Sequence, residues 1–163
     1  MIMGNSAAIA AGSRALFADL GQFFGPLIGF GDCLAPQYPS GCLFWIDPTR
    51  EPKVGDLVWY RWSDAWCAHL RKTLGPDFTF TGGAKWLRYD KGKRYLESNE
   101  GRALLTSEWI IIGPVVATLE WRHPPERFAQ LIKQQDAVIA AAAARADAAG
   151  MPSPVETQSG GRE

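Results

Sequence analysis

GDCLAPQYPSGCLFWIDPTREPKVGDLVWYRW, residues 31–62, holds two apolar runs, "LFWID" and "DLVWYRW", separated by a turn marked by Pro48, Pro52 and Gly55. Both runs are short and rich in aromatic and aliphatic side chains, which suits strands on a half-buried pleated surface. Ahead of them the polar turn Gly31-Asp32 presents a thiol at Cys33, followed by Leu34-Ala35-Pro36. The question is whether that sulfur attacks a substrate or fills space as a small apolar group.

Working outward, the runs "WCAHLRKTL", "KWLRY", "RYLES" and "EWIIIGPVVATLEW" also read as strands, separated by turn residues such as Gly82-Gly83 and Asp90–Lys93. With no helix read between them, the expectation is a mainly β body of coiled antiparallel sheets rather than βαβ units. Upstream, residues 6–24 read as a helix capped by Asn5 or Ser6, with Leu16, Phe17, Leu20, Phe23 and Phe24 on one side. Gly25-Pro26 would end it. Downstream, Pro124-Pro125 opens a helix reaching Gly150, with Phe128, Leu131, Ile132 and Ile139 as its apolar stripe. Its Ala-rich later half favours helix but offers little to bury, so it reads as a solvated extension. The resulting division is 1–29 helical segment, 30–121 β domain, 122–150 C-terminal helix and 151–163 a Pro/Ser/Gly-rich disordered tail. There is no internal repeat.

Composition narrows the function classes. The 163 residues carry 17 basic and 17 acidic side chains, and 47% are hydrophobic. A balanced charge with no basic block argues against nucleic-acid or anionic-membrane binding. The segment "LFADLGQFFGPLIGF" is too short and too interrupted to span a bilayer, and the start lacks the basic and apolar regions of a secretory signal. The expectation is therefore a cytoplasmic protein. Three cysteines, Cys33, Cys42 and Cys67, imply no disulfide framework.

Five pieces of the chain, in order, carry a resemblance. They are Gly31-Asp32-Cys33-Leu34-Ala35-Pro36, then Ser40-Gly41, the run "LFWID", Pro52-Lys53-Val54-Gly55-Asp56, and downstream Ser98-Asn99 with "IIIGPVV". Together, over about residues 30–118, they resemble the catalytic core of LexA-type self-cleaving repressors, UmuD and type I signal peptidases. The resemblance implies a fold of coiled β sheets. It also implies a serine nucleophile at position 33 and a neutral buried lysine some 35–45 residues later. Leu34 and Pro36, the next motif positions, would then contact substrate.

Both catalytic positions depart from that pattern. Cys33 replaces the serine. On the strand read in "CAHLRKTL", register puts His69 at the lysine position, a separation of 69 − 33 = 36. Lys72 is the alternative, on the opposite strand face from His69, because residues alternate and these are three apart. A Cys33/His69 pair is chemically competent, since imidazole can lower a thiol's pKa and then protonate a leaving amine. The primary expectation is nevertheless a peptidase-like domain whose site has degenerated and which acts as an interaction or regulatory module. An active cysteine-type peptidase is the alternative, and a structural or virion-type assembly component from a phage or mobile element is the third.

A metal site built from Cys33, Cys42, Cys67 and His69 has spacings unlike the common zinc modules and is not expected, nor is any cofactor. His123, before Pro124-Pro125, reads as an exposed turn residue. The expected partner is an extended peptide or protein, with a homo-oligomer as a further option, because seven Trp could mark interfaces as well as fill the sheets. Self-cleavage at Ala11-Gly12 is not expected, because that bond lies in the helical reading. A DNA-binding repressor is not expected, since the residues before 30 are too few for a helix-turn-helix domain.

Overall fold

A computed structural model describes residues 23–150. Among them are strands β1 (Phe24–Ile28), β2 (Leu43–Ile46) and β3 (Leu57–Trp62), then helix α1 (Asp64–Leu74). Strands β4 (Gly82–Asp90), β5 (Lys93–Ser98), β6 (Gly101–Leu104) and β7 (Trp109–Leu119) follow, and helix α2 (Glu126–Ala148) ends the described chain. The strands form one mainly antiparallel sheet in the order β1-β2-β7-β3-β4-β5-β6. Every strand pair is antiparallel.

β7 makes the sheet coil. Its first half, Trp109–Pro114, pairs with β3, and its second half, Val115–Leu119, pairs with β2. Bulges interrupt both ladders near the handover, and a bulge adds local bend and twist. Gly113 sits there because a side chain would collide with the Asp47 carbonyl, whose residue donates its own N–H to Pro114 O at 3.1 Å. The main core, Phe44, Ile46, Leu57, Cys42, Leu34 and Ala84, lies beside this crossing. Val58, Tyr60, Leu87 and Leu96 form a second cluster along β3–β5.

Three assignments of secondary structure need correcting. The segment "WCAHLRKTL" is helix α1, not a strand. Ser63 caps it by accepting the Trp66 N–H at 3.2 Å, Asp64 lies in the first turn, and Arg71 and Lys72 lie in the last. Cys67, Leu70 and Leu74 bury one face at spacings of three and four, the helical period. Second, Phe24 and Gly25-Pro26 belong to β1 instead of a helix end; the rest of the expected 6–24 helix lies outside the described residues, as does the tail 151–163. Third, Gly82 and Gly83 open strand β4 instead of forming a turn, and a side chain at Gly82 would strike the Tyr60 carbonyl.

Helix α2 is no solvated extension. Ala142 is buried against Leu70, Leu74 and Phe78, and Arg145 donates to the Leu74 carbonyl at the C-terminal end of α1. Ile132 lies over Gly41, where a Cβ would overlap it. The small Ala side chains let the two helices approach closely, so the composition that reads as weakly burying serves packing instead. Most Trp residues also serve packing: Trp45 is buried, and Trp121, its ring tilted against Phe128, is the one among the exposed large apolar side chains. No helix among the described residues is long and apolar enough to cross a membrane.

Candidate functional site

Cys33 lies in the loop between β1 and β2, and that loop is fastened on three sides. At its base, Gly29 N–H donates to Cys42 O at 2.9 Å and Gly41 N–H to Gly29 O at 2.7 Å. From the β5–β6 turn, Asn99 N–H donates to Cys33 O at 2.8 Å, and the Asn99 side-chain amide donates to Ala35 O. From helix α2, Asp136 Oδ1 accepts from Gly31 N–H at 3.0 Å and from Ser40 Oγ–H at 2.6 Å. Gly31 adopts φ 82°, a left-handed conformation that glycine takes without a Cβ penalty.

The thiol opens on a cavity of about 250 Å³. Its walls are mostly apolar and aromatic, with Phe30, Trp59, Tyr60, Trp62 and Phe80 among them, and Ile139 of α2 closes one side. Its charged lining residues are Asp32, Lys85 and Glu100. Lys85 is half-buried on β4 and donates from Nζ to Ser98 Oγ on β5 at 2.8 Å. Ser98 is buried, so the lysine's hydrogen-bond partner is held in place by the sheet itself.

Electrostatics at Cys33 pull in opposite directions. Burial pushes the thiol up, and this is the largest effect. The Lys85 charge pulls it down, while the Glu100 and Asp32 carboxylates push it up again. The net direction is upward, so burial favours the protonated thiol, and its proton must be drawn off by a partner. Burial also pushes the Tyr60 phenol far up, leaving it neutral against the site. Cys42, in the main core, is raised chiefly by burial and reads as packing.

The residues expected to work with Cys33 are dispersed. His69 is exposed on α1, stacked on Trp66 with ring centroids 4.9 Å apart, and does not line the cavity. The strand register that paired it with Cys33 fails because the segment is helical. On a helix, His69 and Lys72 share a face, three apart, whereas Cys67 and His69 are about 200° apart. Lys72 is exposed too. Leu34 is buried and lines the cavity; Pro36 is exposed and does not. His123 is exposed at a bend. Among the described residues, no three His, Cys, Asp or Glu side chains gather into a metal-binding group.

Three participants escaped the sequence reading: Lys85, Ser98 in its contact with Lys85, and Asp136. Lys85 did carry a signal. It is the lone charge in the run "GGAKWL", at a separation of 85 − 33 = 52 from Cys33, beyond the 35–45 residues that the resemblance implies. Asp136 carried none, since one acid on a helix with a polar face marks no contact. No protein-family model matches the chain, and no curated protein sequence matches it either.

Proposed function

We propose that this domain is a cysteine-dependent hydrolase of the LexA and signal peptidase type, with Cys33 as nucleophile and Lys85 as its proton acceptor. The observation that carries the reading is that Cys33 and Lys85 line the same cavity, with the lysine's charge acting on the thiol. A lysine can act as general base through the lone pair of its neutral amine, as in the family the chain resembles. The Ser98 contact orients Nζ, and Asn99 steadies the backbone around the sulfur.

In the reaction, the neutral amine form of Lys85 takes the Cys33 proton, becoming an ammonium that pairs with the thiolate, and the sulfur adds to a peptide carbonyl, forming a C–S bond. The tetrahedral oxyanion collapses, the C–N bond breaks, and Lys85 returns its proton to the leaving amine. Water, deprotonated by the same lysine, then attacks the thioester and releases the acid and the thiol. The substrate class is an extended peptide presenting its carbonyl at the cavity mouth.

The test is digestion of a mixed peptide library read by mass spectrometry. Wild-type protein yields cleavage products that are absent with Cys33→Ala and reduced about 10²–10⁴-fold with Lys85→Met. Absence of products from the wild type, or their persistence in Cys33→Ala, overturns the reading and returns the domain to a binding role.

A further inference from the structure

We infer that the cavity beside Cys33 receives one bulky apolar side chain, aromatic or branched aliphatic, of the residue whose carbonyl the sulfur attacks, and disfavours acidic residues there. The inference rests on the reading of Cys33 as the nucleophile and names what that site accepts.

Size argues first. A cavity of about 250 Å³ lies below the roughly 300–1,000 Å³ of sites that enclose a whole small molecule. It suits one large side chain. An alanine or glycine would leave most of it empty, and an unfilled apolar void forfeits the contacts its lining could make. Wall chemistry argues second. Phe30, Trp62 and Phe80 offer ring faces and edges, and Ile139 adds a branched aliphatic wall. Such surfaces reward apolar and aromatic guests and leave a buried polar group unsatisfied.

Charge argues third and independently. Asp32 and Glu100 are exposed residues lining the cavity, and both carboxylates push the thiol up. They would repel an acidic residue brought to the same place. Lys85, the one cation among the lining residues, already donates to Ser98. The arrangement therefore offers a carboxylate side chain little compensation for desolvation.

The experiment uses the full chain and a matched set of peptidyl chloromethyl ketones, Ala-Ala-X with X as Phe, Leu, Ala or Asp. In each, the sulfur of Cys33 displaces chloride, forming a C–S bond while the thiol proton passes to Lys85. Intact-mass kinetics with peptide mapping give the rate at Cys33, normalised to iodoacetamide. The Phe and Leu reagents label at least about tenfold faster than the Ala reagent, and the Asp reagent is slowest.

Gly83 lines the cavity, and a Cβ there meets nothing closer than 3.5 Å. Gly83→Val therefore fills space without backbone conflict and erases the Phe-over-Ala preference. Ile139→Trp does the same from the helix side, and unlabelled Cys42 and Cys67 report that each variant is folded. Equal rates for Phe and Ala, an Asp reagent matching Phe, or a preference that survives both substitutions overturns the inference. Selective labelling without library cleavage would leave the cavity's preference standing and remove the hydrolase reading. Cleavage with no such preference would do the reverse.

Discussion

At Cys33 two influences oppose each other, and the balance is open to measurement. Burial in an aromatic cavity disfavours the thiolate, and the Lys85 ammonium favours it. His69 has no part in that balance. His69→Ala is expected to change Cys33 alkylation by no more than about twofold, the scale of a surface substitution with few contacts; timed iodoacetamide labelling with peptide mapping checks it. The Gly31–Pro36 segment was legible as a place where a thiol is displayed, because a polar turn followed by a proline is a local signal. Its partner was not. Lys85 comes to the site because the β4–β5–β6 hairpins meet the β1–β2 loop, where Asn99 N–H donates to Cys33 O, a contact between residues far apart in sequence.

At the scale of elements, α1 shows why the middle of the chain was misread. Trp66, Cys67, Leu70 and Leu74 fit a helical stripe, and Ser63-Asp64 with Gly75 mark its two ends. The neighbouring runs are so clearly strands that the same period was carried across it. Most of the other strands were readable from their alternation; β1 was not, because Gly25-Pro26 reads as a helix stop, nor was β6, four residues long and half exposed. Helix α2 was visible as a helix, but not as the element that fastens the Cys33 loop. Asp136→Ala leaves the Gly31 N–H and the Ser40 hydroxyl without their carboxylate, and the expected loss is about 1–3 kcal/mol of stability. Asp136→Asn keeps an acceptor oxygen and is expected to recover most of it. Urea midpoints for the two variants decide the point, and equal midpoints for Ala and wild type would contradict it.

Over the whole molecule, the sheet provides a site and the C-terminal helix completes its enclosure. Removing residues 126–163 uncovers Leu70, Leu74 and Phe78, on the order of 1.5–3 kcal/mol for each large apolar side chain fully re-exposed. Thermal unfolding should therefore fall by many degrees, whereas a dangling extension would leave it unchanged.

Across β4, β5 and β6, Glu97 accepts from Arg88 at 2.9 Å and from Arg102 at 2.5 Å, which holds its carboxyl below the usual carboxylate range. The folded state thus favours the charged form. This contribution is present above that usual range and is lost as pH falls through the lower folded value. Glu97→Gln should flatten the acid side of the stability profile, a difference of about 1 kcal/mol or less for so exposed a network. The site itself calls for one further measurement. The pH dependence of Cys33 alkylation in wild type and in Lys85→Met reads the coupling between thiol and amine directly. Loss of the lysine charge is expected to move the midpoint upward and slow labelling near neutral pH; an unchanged or lower midpoint would contradict a working Cys33–Lys85 pair.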